Sequence, residues 1–510
     1  MSNSETKGIG DMSKLARVRL VYLLWLCAAV SPFQNINAQD KGHSRPNILF
    51  ILTDDQGWTS LSSYGNRLVA TEHLDRLASE GVRFTNAYVM PQCTPTRAAL
   101  LTGMHTARNG MWHVIAWYGS PWARVAEPPF VEQLPPQQCR LTHSLRAAGY
   151  KTGMAGKWHL TNSDYGHYAN LTETGAEVFG FDFVAPPGPG SQNEGDKWVD
   201  HLTDAACRFM EQHRDHPWFF YLAHHTLHGT VSAPQNLIQK YEQMGAPRVG
   251  LNNATYLAAI EHLDSSIGRL MQKLDDLGLS ENTLVVFLSD NGGLDTSYAV
   301  PDTPLGLSGQ SALRVRLQEF PNDPLRDGKG SPYEGGIRVP CIVRWPERIP
   351  NGRIEDTPIH VVDWYPTLLE AAGTPSIDLQ DGVSLVSLLC KQIPLERTLY
   401  WYMPLYDLRW AATPVAVVRK GPWKLIYYFG DWFDRNQVYH AGSHVELFNL
   451  ETDISEQIEC STEHPELVQT LQQDLVRWIK STGAVVPDAN PHFDAERQLL
   501  ETKQKQAWNP

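Results

Sequence analysis

Four apolar runs, each closed by polar residues capable of chemistry, constrain this chain more than any other feature. They are Asn47–Thr53 before Asp54 and Asp55; 150–156 before Lys157, Trp158 and His159; Trp218–Ala223 before His224, His225 and His228; and Thr283–Ser289 before Asp290, Asn291, Gly292 and Gly293. Continuous apolar runs of this length, without alternation, suit strands covered on both faces of a parallel sheet. Helical patterns at 74–80, 142–148, 200–213 and 256–277 fall between them. Strands alternating with helices predict an α/β fold, with a large doubly wound sheet, mixed but mainly parallel, flanked by helices. In such sheets ligands collect beyond the carboxyl ends of the strands, so four polar clusters far apart in sequence are expected at one place.

After about residue 395 the pattern changes to aromatic and β-branched runs at 398–403, 415–418, 423–429 and 445–450, then a helix-like stretch at 466–481. This predicts a smaller C-terminal antiparallel sheet with one packed helix. A chain of 510 residues exceeds what one core holds, about 250 to 300. The expected organisation is a leader at 1–38, a catalytic α/β domain at 39–395 and a C-terminal α+β subdomain at 396–510. Gly- and Pro-rich stretches at 185–195 and 295–330 read as long loops lining the site entrance.

In the leader, Lys14, Arg17 and Arg19 precede an apolar run at 20–30, and a polar stretch ends at Ala38. That is the pattern of a secretory signal peptide, and its run is shorter than the ~20 residues that span a bilayer. A secreted or periplasmic protein is expected, with no stable membrane span in the mature chain. Removing the leader's four basic and two acidic groups takes the net charge from -13 to -15. Global charge therefore repels anions, and an anion site must be built locally from Lys, Arg and His. Nucleic acid is not an expected partner on this balance. Of seven Cys, Cys27 lies in the leader; the other six are too dispersed for a disulfide scaffold, and none forms the C-x-x-C pair of a structural zinc site.

Asp54, Asp55, Asp290 and Asn291 offer only oxygen ligands, which suits Ca²⁺ or Mg²⁺ rather than zinc. Singly, each reads as a turn residue after a strand. Found together at two parallel strand ends, they point to a metal.

Cys93-Thr94-Pro95-Thr96-Arg97, extended by Leu101-Thr102-Gly103, resembles the C-x-P-x-R signature of type I, arylsulfatase-like sulfatases of the alkaline phosphatase superfamily. Gly156-Lys157-Trp158-His159 is similar to the family's G-K-W-H segment, Ser289-Asp290-Asn291-Gly292-Gly293 to its S-D-N-G-G, and 328–340 to its G-K-G...E-G-G-x-R-x-P. The resemblance covers roughly residues 45–480. It implies a sulfatase hydrolysing sulfate monoesters, with Cys93 oxidised to formylglycine by a formylglycine-generating enzyme and hydrated to a gem-diol. It implies Asp54, Asp55, Asp290 and Asn291 as ligands of Ca²⁺, Arg97 as partner of the nucleophile, Lys157 and His159 around the gem-diol, and His228 and Lys329 around the leaving oxygen. The family's histidine stands before a Pro-containing turn, whereas Gly229 and Thr230 follow His228 here, so His225 remains the reserve.

Secretion makes sulfated carbohydrates expected substrates, with aryl sulfates as the alternative. Trp112, His113, Trp117 and Tyr118 are candidates for a sugar subsite or for packing. Two rivals stand beside this reading. One is a phosphodiesterase or phosphonate monoester hydrolase of the same superfamily, although those tend to carry S-D-H-G where this chain has Ser289-Asp290-Asn291-Gly292. The other is a non-catalytic carbohydrate-binding protein that never converts Cys93.

Overall fold

The computed structural model describes residues 45–507, apart from 116–119, 295–297, 300–309, 312–313, 316–321, 376–379, 408–409 and 437. The leader, Trp117 and Tyr118 lie outside the described residues. The principal strands are β1 (Asn47–Thr53), β2 (Val82–Tyr88), β3 (Lys151–Gly156), β4 (Phe183–Val184), β5 (Trp218–Ala223) and β6 (Thr283–Ser289). With Arg338–Arg344, Arg353–Glu355 and Ile359–His360 they form one nine-stranded sheet. Its order is Arg353–Glu355, β2, Arg338–Arg344, β6, β1, β5, β3, β4, with Ile359–His360 also on β2. β1 lies parallel to both β5 and β6, and β3 parallel to β5 and β4. Only Arg338–Arg344 runs antiparallel, against β2 and β6.

The unbroken apolar run of β1 has its expected cause, because its side chains alternate between two cores. Ile48, Phe50 and Leu52 join one cluster with Leu100, Leu145 and Leu368; Leu49 and Ile51 join the other with Leu74, Phe209 and Leu263. The helices Cys93–Thr102, Arg140–Ala147 and Trp364–Ala371 thus cover one face, and Glu72–Ser79, Val199–Gln212 and Ala254–Asp276 the other. Each fully buried large aliphatic side chain contributes about 1.5 to 3 kcal/mol. Asn253 caps the longest of these helices by accepting a hydrogen bond from Tyr256 N at 3.0 Å, satisfying one of its orphan donors.

The C-terminal sheet is antiparallel, in the order Thr398–Met403, Val415–Lys420, Trp423–Tyr428, His444–Asn449. Helix Pro465–Thr482 buries Leu471, Leu475 and Ile479, and Trp478 stacks on Tyr400 at 4.7 Å. Buried ions join this sheet to the rest: Lys424 Nζ donates to Glu334 Oε1 at 2.9 Å and pairs with Glu456 at 2.8 Å, while Tyr88 donates to Glu334 Oε2 at 2.6 Å. The stretch 295–330, read as loop, carries short strands at Tyr298–Ala299, Gln310–Ser311 and Arg314–Val315.

Candidate active site

Strand register builds the site. Leu52 stands opposite Ala223, Gly156 opposite Ala223, and Thr53 opposite Ser289, so the four strands end level. Asp290 N donates to Thr53 O at 3.0 Å, Lys157 N to Ala223 O at 2.8 Å, and His224 N to Leu52 O at 2.9 Å, which fixes the residues just beyond those ends. Gly156, at φ 94°, makes the turn that releases Lys157; a Cβ there would lie 1.9 Å from Ala223 O. Gly292 lets the end of β6 touch the 328–340 motif, since its Cβ would meet Gly335 O at 1.7 Å. Asp55 and His159 adopt left-handed backbone, at φ 56° and 51°. Such conformations cost about 1 kcal/mol or more in non-glycine residues and gather at functional sites.

Three carboxylates meet three cations here. Lys157 Nζ donates to Asp54 Oδ2 at 2.6 Å, and Lys329 Nζ pairs with Asp55 at 2.7 Å. Arg97 forks onto Asp290 Oδ2, from Nε at 3.0 Å and Nη2 at 2.7 Å. Asn291 Nδ2 donates to Asp55 Oδ1 at 2.8 Å. Asp54 Oδ1 and Asn291 Oδ1 are buried and have no hydrogen-bond partner. Two orphaned hard oxygens among three carboxylates are what a divalent cation would satisfy, so Asp54, Asp55, Asp290 and Asn291 fit such an ion. Burial and the neighbouring Asp54 charge push Asp290 up to about 6, against the pull of Arg97. Burial opposes the charge on Asp54 too, but Lys157, with His228, Arg97 and Lys329 behind it, holds that carboxyl well below its usual range.

Cys93 opens the helix Cys93–Thr102, every residue of which is buried. Its Sγ lies 3.2 Å from His159 Nδ1, and Thr94 Oγ1 donates to His159 O at 2.9 Å. Burial raises the Cys93 thiol despite Lys157 and Lys329, so the side chain is a thiol and not a reactive thiolate.

The three histidines after β5 part company. A ring nitrogen of His228 lies within 4.8 Å of carboxylate oxygens of Asp54 and Asp55, and its Nδ1 sits 2.7 Å from Gly229 O. Nδ1 then carries the proton and Nε2 is the acceptor of a neutral ring, which burial and Lys329 favour by lowering His228 to about 3. His225 is buried with neither ring nitrogen partnered, edge-on to Trp198 at 5.5 Å, and feels Lys157 and Asp54. The electrostatic neighbours of His224 are His262 and Asp196, which lie apart from the acidic centre.

All ten residues singled out for metal and catalysis, including Lys329 from its glycine-rich loop, stand on this one cluster. Lys329 N donates to Gly293 O at 3.0 Å and Gly330 N to Pro91 O at 2.8 Å, which ties that loop to both β6 and the Cys93 segment. Trp112 and His113 are buried, and Trp112 joins Phe130, Tyr88 and Met90 in the C-terminal core, where it serves as a packing residue. Two site residues carry no motif. Lys197, at φ 54°, donates from Nζ to Thr230 O at 3.0 Å, and burial lowers it to about 8. Tyr168 lays its ring over Lys157 Nζ, 4.3 Å from the centroid.

Comparison with known proteins gives a consistent picture. Residues 46–374 match the sulfatase family model, and 328–481 match that of the N-sulphoglucosamine sulphohydrolase C-terminal region. A sulfatase of Formosa agariphila is 28% identical, over 93% of this chain and 95% of that protein. Human N-acetylgalactosamine-6-sulfatase is 31% identical, over 70% of this chain and 68% of that one. The crystal structure of Ps i-CgsB, in complex with k-i-k-neocarrahexaose, superposes with a TM-score of 0.68 at 23% identity, covering 91% of this chain and 98% of that one, a likeness of fold.

Proposed function

This chain belongs to the sulfatase family, within the alkaline phosphatase superfamily, and is a sulfuric ester hydrolase; from that premise we propose that it removes sulfate from carbohydrate esters, using a formylglycine made from Cys93. The observation that carries the reading is Cys93 Sγ at 3.2 Å from His159, beside three carboxylate–cation pairs. A buried, protonated thiol is a poor nucleophile, which favours conversion over direct use of the cysteine. The relatives support a sugar substrate, since one is named for N-acetylgalactosamine-6-sulfate chemistry and another was solved with an oligosaccharide.

Asp54, Asp55, Asp290 and Asn291 would hold Ca²⁺ or Mg²⁺, which when bound offsets charge on the sulfate oxygens. Residue 93, once converted to hydrated formylglycine, would supply one hydroxyl for attack on sulfur and a second whose deprotonation would let sulfate leave without another attack by water. Lys157 and Lys329 bind the remaining sulfate oxygens, and Arg97 neutralises Asp290 so that the centre tolerates an anion. His159, in reach of residue 93, takes the proton of the second hydroxyl. His228 protonates the leaving oxygen. The negative charge of an arriving sulfate opposes Lys329 and Lys157, the cations that lower His228, so substrate raises its proton affinity. His225 is the reserve for that role.

All of these residues lie in the proposed catalytic domain, 39–395. The leader supports export to the periplasm or the exterior, and maturation would need a formylglycine-generating enzyme. Expressed with such an enzyme, the protein should label with hydrazide at residue 93 and hydrolyse nitrophenyl sulfate. Cys93→Ala should lose both. Full turnover by that variant would sink the nucleophile assignment, and a strong preference for nitrophenyl phosphodiesters would favour the phosphodiesterase reading instead.

A further inference from the structure

The segment after His159 folds back over the reacting groups and is braced from within. His159 N donates to His167 O at 3.4 Å, His167 N to Asn170 O at 3.0 Å, and Thr172 N to Tyr165 O at 2.9 Å. Trp158 Nε1 donates to Thr161 Oγ1 at 2.9 Å, which in turn donates to Gly166 O at 2.8 Å. This bracing carries Tyr168 to the middle of the site. Its ring lies 4.5 Å from the ring of His159, 5.5 Å from that of His228 and 6.2 Å from that of His225. Lys157 Nζ sits 4.3 Å from its centroid, the range of a cation–π contact.

We propose that Tyr168 is a positioning residue for sulfate binding, whose ring fixes the Lys157 ammonium between Asp54 and the substrate. This rests on the sulfatase reading of the site. An ammonium has three donors. One is spent on Asp54 Oδ2 at 2.6 Å, and the ring shields the ammonium from water on a second side, leaving a donor direction for an anion. Without the ring, a lysine has a long flexible stem, and its ammonium would be held by Asp54 alone. The same ring packs between His159 and His228 and so spaces the two groups that move protons. The phenol stays protonated, because burial and the charge of Asp54 raise it well above its ordinary value, so the ring face keeps the electron density of a neutral aromatic. No motif marks Tyr168; its sequence neighbourhood reads as an ordinary polar turn.

The test compares Tyr168→Leu with Tyr168→Phe in the full, formylglycine-bearing protein. Inorganic sulfate binding is measured by calorimetry, and kcat and KM on nitrophenyl sulfate. Tyr168→Leu should weaken sulfate binding and raise KM by about five- to thirtyfold, the range of a cation–π contact from exposed to desolvated, with a smaller fall in kcat. Tyr168→Phe, which keeps the ring, should recover most of the loss in both. Wild-type sulfate binding in Tyr168→Leu would overturn the proposal. So would equal damage in Tyr168→Phe, which would place the effect in the hydroxyl. If the wild type bound sulfate yet failed to hydrolyse any sulfate ester, the sulfatase reading would fail while the calorimetry still judged Tyr168.

Discussion

At the scale of single residues, the two histidines on either side of Tyr168 should be separable by leaving group. An alkoxide leaving from a sugar needs a proton as the bond breaks, whereas nitrophenolate departs without one. A general acid typically contributes about 10² to 10⁴ in rate. His228→Ala should therefore damage hydrolysis of a sugar sulfate by that factor and spare nitrophenyl sulfate. His159→Ala, which removes a base acting after departure of the leaving group, should slow both substrates to a common turnover, with sulfate retained on the enzyme. If His225→Ala shows the selective effect and His228→Ala does not, the acid role moves to His225. The left-handed backbone at His159 supports its functional weight, because a strained non-glycine residue persists only where its surroundings hold it there.

At the scale of elements, the strand ends depend on glycines that admit nothing larger. Gly156→Ala would drive a Cβ into Ala223 O and impose an L side chain on a left-handed turn. The expected loss is about 1 to 3 kcal/mol of stability from overpacking, with a disproportionate loss of activity because Lys157 and His159 follow directly. Thermal unfolding beside turnover measures both, and a variant with wild-type activity would show that β3 does not set the site. The strands and helices that the sequence foretold are those with an unbroken apolar run or a strong 3.6-residue period. β2 and Arg338–Arg344 escaped for opposite reasons. β2 is only half buried, so its V-R-F-T-N-A-Y pattern is mixed. Arg338–Arg344 contains Pro340, ordinarily a strand breaker, accommodated where the pairing with β2 shifts register between Val339 and Cys341. Asp54, Asp55, Lys157, His159, Asp290 and Asn291 were legible because they stand just beyond strand ends, whereas Cys93, Arg97 and Lys329 were legible only through the resemblance of their segments to family motifs. Tyr168 and Lys197 were not, because a loop's return path and a left-handed corner leave no periodic trace.

At the scale of the whole molecule, a chain of net charge -13 concentrates its cations for anion chemistry on one rim of one sheet. The join between the two sheets was equally hidden from the sequence, since Glu334, Lys424 and Glu456 lie far apart and look like surface charges until folding buries them together. The pairing of every carboxylate in the centre with a cation has a consequence for how ligands act on one another. Lys157 and Lys329 are each counterion to a proposed metal ligand and, on the proposed mechanism, also the group that binds sulfate. Each lysine shares its charge between its carboxylate and an arriving sulfate, so a divalent ion that takes over Asp54 and Asp55 would free that charge for sulfate, and a sulfate that draws on it would leave the carboxylates freer for the ion. The two ligands should therefore be heterotropic partners, with coupling of the usual 5- to 150-fold and the same factor in both directions. Calcium titrated with and without inorganic sulfate, and sulfate titrated with and without calcium, should return equal ratios above one. Ratios of one would mean that the carboxylate–lysine pairs stay closed when ligands bind.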